Sequence, residues 1–197
     1  MIAPFHRKLA DAVRDALDDI AVQVQSQRDE LTIIVPCEKI VEVMLALRDD
    51  GRTDMHQLMD VCGVDYVNRK PRFDVVYQLL SLSHNWRLTV IAQTHKAVPS
   101  VVSVYTSAGW FERETFDLFG ITFDGHPDLR RILTDYDFTG HPLRRDFPLM
   151  GFEEKIYDDL TRRVVSQPVM LQQDYRAFDA LSPWQGMTDV QERGEDD

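Results

Sequence analysis

Apolar residues recur at helical spacing as Phe5, Leu9, Val13, Leu17 and Ile20, with Arg, Lys and Asp between them, and Pro4 stands where a helix tolerates a missing amide donor. The chain is therefore expected to open on an amphipathic helix. Ile20, Val22 and Val24 then alternate with Ala21, Gln23 and Gln25, and the polar stretch 26–30 leads into Leu31-Thr32-Ile33-Ile34-Val35, the pattern of a strand pair. Pro36 opens a second predicted helix with Ile40, Met44 and Leu47 on one face, ending at Asp49-Asp50-Gly51, where Gly51 suits a left-handed cap. A short helical stretch is expected around Met55 to Val61, then a strand-like run over 64–68. The β-branched and aromatic runs 73–80 and 86–92, joined by Ser81 to Asn85, predict a hairpin. A third helix is expected from about Trp110 to Phe119, supported by an Arg113–Asp117 pair at i,i+4 and closed by Gly120. Glu153 to Tyr157 and Arg162 to Val165 pattern as a last hairpin. This order predicts an α+β, two-layer domain with a mixed sheet and helices over 1–125, a charged loop and hairpin over 126–166, and an extended C-terminal arm over 167–197.

The loop is the most unusual stretch. Gly-His-Pro followed by Leu and paired Arg occurs twice, as Gly125-His126-Pro127-Asp128-Leu129-Arg130-Arg131 and as Gly140-His141-Pro142-Leu143-Arg144-Arg145. Each Pro removes a donor and pushes the preceding His toward an extended conformation, which excludes regular helix. Irregular connections longer than roughly 12 to 15 residues tend to be functional or disordered. Leu129, Ile132, Leu133, Tyr136, Phe138, Leu143, Phe147 and Leu149 carry too much apolar surface for disorder, so a shaped, ordered loop is expected.

Charge changes the picture of partners. The 197-residue chain has 22 basic and 33 acidic residues, a net charge of −11, which argues against nucleic acid and against adsorption to an anionic membrane. Residues 126–150 hold four of each sign, a balanced island in which Asp128, Asp135, Asp137 and Asp146 are candidate internal partners for the arginines. No apolar run reaches the ~18 to 20 residues of a spanning helix, and the N-terminus lacks a signal-peptide core.

The chemistry-bearing residues are sparse. Two cysteines, Cys37 and Cys62, are too few for a disulfide framework or a four-cysteine cluster, and are read as buried or ordinary reduced thiols. His126 and His141 lie among aspartates, yet their spacing matches no ligand frame, and each imidazole is as readily a turn element bonded to a carbonyl. Glu112 and Glu114 are two positions apart and cannot face the same way on a helix, so solvation and salt bridges are their expected roles. Met44, Met55, Met59 and Trp86 are read as core packing. No Gly-rich phosphate loop, GxGxxG or GxSxG is present. Beyond residue 167, Tyr175, Phe178, Leu181 and Trp184 recur without periodicity, as in an arm that lies on a partner.

These residues resemble the signature of the C (30 kDa) subunit of bacterial proton-translocating NADH-quinone oxidoreductase, complex I. The resemblance rests on Glu112-Arg113-Glu114, Asp117-Leu118-Phe119-Gly120, the run 126–133, Asp135-Tyr136 and the run 140–149. It extends to Cys62-Gly63-Val64-Asp65-Tyr66, Val76 to Leu82 and Leu181-Ser182-Pro183-Trp184. Two departures are Asp137, where the family usually has Gly, and Arg145, where Lys is frequent. The resemblance implies a hydrophilic, non-redox subunit of the peripheral arm on the cytoplasmic side of the inner membrane. FMN, iron-sulfur clusters, NADH and quinone would be handled by other subunits, and no catalytic, cofactor or metal residue is expected in this chain. The implied neighbours are the hydrogenase-like D subunit and the cluster-bearing B subunit. Glu112, Arg113, Asp117, Arg130, Arg131, His141, Arg144, Arg145, Asp146, Tyr175, Phe178 and Trp184 are the expected partner-interface residues. Two other readings stay open: the corresponding subunit of a membrane-bound hydrogenase or photosynthetic complex I-like enzyme, and an independent enzyme using His126 and His141.

Overall fold

The computed structural model describes residues 4–17, 20, 22–27, 30–170 and 173. The chain divides into two compact units, Met1–Leu149 and Met150–Asp197. In the first, α1 (Pro4–Ala16) is followed by the antiparallel pair β1 (Gln23–Gln27) and β2 (Glu30–Pro36), by a 3-10 turn (Cys37–Lys39) and by α2 (Ile40–Asp49). Strands β3 (Gln57–Asp65), β4 (Phe73–Ser81) and β5 (Trp86–Thr94) complete a five-stranded mixed sheet of order β1-β2-β5-β4-β3. All its neighbours are antiparallel except β2 and β5, where Ile33 faces Val90 in parallel register. The fold is α+β as predicted, with the helices and the hairpin falling close to their expected bounds.

Alternation creates the core. Leu31, Ile33 and Val35 of β2, Leu88, Val90 and Ala92 of β5 and Val75, Tyr77 and Leu79 of β4 are buried, while the residues between them are partly exposed. Leu9 and Val13 of α1 and Ile40, Val43, Met44 and Leu47 of α2 belong to the same cluster. Each such side chain contributes about 1.5–3 kcal/mol by leaving water.

Three local expectations are corrected. Residues 55–61 are not helical but enter β3, the edge strand. A bulge between Leu58 and Asp60 sets the buried Leu58 and Val61 three positions apart, so an irregular strand imitates helical spacing, and Met59 turns outward at 49 % exposure instead of joining the core. The strand predicted over 64–68 is the end of this one, which stops at Asp65. Gly51 does not form a left-handed cap. Asp50 caps α2 in extended conformation, its carboxylate takes the Arg52 amide at 2.8 Å, and the positive φ (50°) falls on Asp54.

After the sheet, β6 (Ala97–Pro99) pairs in parallel with β7 (Thr122–Asp124), and α3 (Ala108–Phe119) lies between them in sequence and packs on β3. Residues 125–149 are irregular but shaped, as predicted. In the second unit, β8 (Glu153–Asp158) and β9 (Arg163–Pro168) form the expected hairpin, with Ile156 opposite Val165, and the strand carries two residues past the predicted start of the arm. Its turn is closed by Asp158, which accepts from the Leu160 amide (3.0 Å) and the Thr161 hydroxyl (2.7 Å).

Candidate functional site

The signature loop is tied to α3 by a small number of buried polar groups. Helix α3 ends at Gly120, whose φ of +71° suits a residue without Cβ, and the last carbonyls of any helix lack intrahelical partners. Here the second Gly-His-Pro turn supplies them. The His141 Nδ1–H donates to the Asp117 carbonyl at 2.9 Å, the Leu143 amide to the Leu118 carbonyl at 3.1 Å and the Arg144 Nε–H to the Phe119 carbonyl at 2.5 Å. Burial, then the nearby Arg144 and Arg131 charges, lower the His141 pKa, so the imidazole acts as a neutral donor.

Asp117 is the centre of the loop. One carboxylate oxygen accepts the amides of Ile132 (3.0 Å), Leu133 (2.8 Å) and Thr134 (2.9 Å); the other accepts the Thr134 hydroxyl (2.6 Å) and Arg131 Nη1 (3.0 Å). Burial alone would raise its pKa, yet these bonds to the ionised form hold it well below the usual carboxylate range. Arg131 also reaches the Gly140 carbonyl at 2.9 Å, linking the two Gly-His-Pro turns. The predicted Arg113–Asp117 pair does not form. Arg113 instead donates to the carbonyls of Arg130 and Arg131, both at 3.1 Å, because Asp117 faces inward and is claimed by the loop.

Glu112 is also not a solvated helix residue. It is fully buried and accepts from the Ser100 hydroxyl (2.6 Å) and the Val101 amide (2.8 Å), tying α3 to the segment after β6; burial raises its pKa against those bonds. His126 Nδ1 accepts the Asp128 amide at 3.0 Å, which leaves Nε2 as the protonated nitrogen; it donates to the Gly109 carbonyl (3.1 Å) and lies 4.0 Å from Glu112. Both histidines thus bond carbonyls, as the turn reading expects.

The remaining arginines divide. Arg130 makes an exposed two-point contact to Asp128 (2.7 and 2.8 Å), whereas Asp146 pairs with Arg72 at 3.0 Å instead of with a loop arginine. Arg144 serves the Phe119 carbonyl and, among the described residues, no carboxylate. Among the described residues no carboxylate stands within ion-pair distance of Arg145, so the loop aspartates do not serve it. Its amide, however, donates at 3.0 Å to Asp65, whose buried carboxylate also grips Arg72 at 2.6 and 2.7 Å. Neither Asp65 nor Arg72 is among the predicted site residues; the signal in the sequence is a carboxylate at a buried register position, in phase with Val61 and Gly63. Tyr175, Phe178 and Trp184 lie outside the described residues.

Asp117, His126, His141, Arg131 and Arg144 are engaged inward, while several apolar side chains of the loop project outward. Leu133, Leu143 and Leu149 are exposed, and Tyr136 is fully so. A cavity of about 220 Å³ opens where Leu143 meets Cys62, Leu118 and Phe119, and burial raises the pKa of the Cys62 thiol, which makes it a poor nucleophile. Among the described residues no group of three His, Cys, Asp or Glu side chains could hold a metal ion, and no helix is long and apolar enough to cross a membrane.

Comparison with known proteins shows the family. Residues 33–153 match the family model described as respiratory-chain NADH dehydrogenase, 30 Kd subunit. The C subunit of the NADH-quinone oxidoreductase of Methylobacterium sp. (strain 4-46) is 53 % identical over 90 % of this chain and 84 % of its own length. Its counterpart in Paramagnetospirillum magneticum is 53 % identical over 91 % and 92 %. Among solved structures, the trypsin-resistant fragment (1-134) of Nqo5 is similar with a TM-score of 0.51 and 28 % identity, covering 62 % of this chain and 99 % of that fragment.

Proposed function

The chain belongs to the 30 kDa subunit family of respiratory-chain NADH dehydrogenase, and from that premise we propose that it is a non-redox structural subunit of the peripheral arm that braces the quinone-reducing module. The observation that carries this reading is the division of labour in the signature loop. Asp117, His126, His141, Arg131 and Arg144 are spent holding the loop to α3, and Glu112 ties α3 to the segment after β6, while Leu133, Tyr136, Leu143 and Leu149 face out. A surface whose shape is fixed from within and whose apolar residues are free suits docking, where prior order reduces the entropy lost on binding. The partners are the D and B subunits on the cytoplasmic face of the inner membrane, and the arm from 167 onward docks on D through Tyr175, Phe178 and Trp184. Electron transfer tolerates little displacement of neighbours, so rigid positioning is a sufficient contribution. Purifying the complex through a tag on this chain tests the reading. D, B and the flavin- and NADH-binding subunits should co-purify, and the isolated folded chain should be colourless and free of stoichiometric iron or zinc. An iron-sulfur absorbance band in the isolated chain, or failure of D and B to co-purify, would overturn it.

A further inference from the structure

Resting on the reading of this chain as a docked subunit, one residue of the loop identifies the chemistry of its partner. Within 126–149, Arg130 is engaged by Asp128, Arg131 by Asp117 and the Gly140 carbonyl, and Arg144 by the Phe119 carbonyl. Arg145 differs. Its backbone is fixed by the Asp65 bond, yet its guanidinium is exposed and meets no acceptor among the described residues. Asp65 holds Arg145 through its backbone amide and not through its guanidinium, the two carboxylate oxygens accepting from Arg72 and from that amide.

Arg145 borders an open cavity of about 620 Å³, on the scale that holds a few side chains. The turn after β3 lines the other side, with Tyr66 45 % and Val67 50 % exposed. The Arg69 guanidinium lies 4.0 Å from the Tyr66 ring centroid and is itself held by the Pro71 carbonyl (3.1 Å) and by Asp74, so the ring is presented from a braced support. Among the lining residues one carboxylate, Asp65, stands with two cationic side chains, Arg69 and Arg145. In a chain of net charge −11 this is a cationic spot with an apolar flank.

We propose that this cavity receives an acidic segment of a neighbouring protein subunit, whose Asp or Glu carboxylate pairs with Arg145 while an adjacent apolar side chain packs on Tyr66 and Val67. The planar fork of arginine matches a carboxylate in two-point geometry, and an arginine held at a fixed backbone position loses less freedom on pairing. Tyrosine and arginine side by side are the residue types that dominate interface energy.

The test uses the assembled complex. R145K places an amine at this position, and a zero-length carbodiimide then forms an amide bond only with a carboxylate in direct contact. Mass spectrometry should find position 145 linked to an Asp or Glu of another subunit. In parallel, R145A should weaken retention of the chain about tenfold or more in salt washes, while the melting temperature of the isolated variant stays at the wild-type value because the backbone bond to Asp65 survives. Absence of any link at 145 in a complex that still contains the chain, with R145A retained like wild type, overturns the pairing and leaves the bracing role intact. Binding of the isolated wild-type chain, lost in R145A, to phosphatidylglycerol or cardiolipin vesicles would replace the protein carboxylate by a lipid headgroup and likewise overturn the proposal. A wild-type chain that co-purifies with no other subunit removes both readings together.

Discussion

Replacing Asp117 by Asn tests the internal tether most sharply, because it changes charge and one acceptor while keeping size. The carboxylate is fully buried, so its five hydrogen bonds are little screened by solvent. An asparagine oriented to keep the Ile132, Leu133 and Thr134 amides bonds them as a neutral acceptor, roughly half as strongly. Its NH2 then faces Arg131 Nη1, donor against donor. The flipped orientation satisfies Arg131 and abandons three amides. Removing one member of a buried ion pair costs about 3–5 kcal/mol, and each ~1.4 kcal/mol is a tenfold change. Amide hydrogen exchange at residues 132–134 should therefore accelerate by about two to three and a half orders of magnitude. Sheet amides such as those of Val75 and Val90 should change far less, since the loop detaches locally. The acid limb gives a second readout with a defined sign. A depressed folded pKa means that the tether is present above the ordinary aspartate value of about 3.9 and is lost as pH falls through the lower folded value. Wild type should show this acid-induced loss of loop protection and D117N should not. Unchanged exchange at 132–134 in D117N would refute the assignment of Asp117 as the anchor.

Glu112 has the opposite sign: its raised folded pKa means that its contribution to stability is fullest in acid and declines as pH rises from about 4.3 through the folded value, so E112Q should flatten the pH dependence of the urea midpoint. E112A, which strands the Val101 amide, should cost about 1–3 kcal/mol by the same measurement. Gly120→Ala places a Cβ against His141 and Arg144 at a positive φ, and should destabilise the first unit by about 1–3 kcal/mol in chemical denaturation; a wild-type midpoint would contradict the cap geometry. Truncation after Met170 keeps the hairpin and should weaken co-purification with the D subunit while leaving the melting of the first unit unchanged; undiminished co-purification would dismiss the docked arm.

What is legible in sequence follows the range of the interactions. The helices, the Phe73–Ser81 and Trp86–Thr94 hairpin and the Gly120 cap are written in neighbours a few residues apart, and they are readable. Asp117 is visible as a charged helix residue, but its nearest opposite charge, Arg113, is the wrong partner; the right one lies fourteen residues on, across a loop that periodicity cannot orient. Glu112 escapes a local reading for the same reason, since Ser100 and Val101 come from another segment. The β3 bulge replaces the strand period with an apparent helical one. Arg144 and Arg145 are identical in type and adjacent, and only the backbone direction at the end of α3 separates the capping residue from the projecting one.

The Asp65–Arg145 clamp joins residues eighty positions apart. A chain made from its N-terminus has all five sheet strands, complete by Thr94, available long before Arg145 exists. Contacts of such sequence separation close last, because loop-closure entropy opposes them until both ends are otherwise held. The bonds from α3 to the loop span only 14 to 25 positions, so of the loop's tethers it is the one at Arg145 that waits on the sheet, and a chain with an unfinished edge strand has no clamp there.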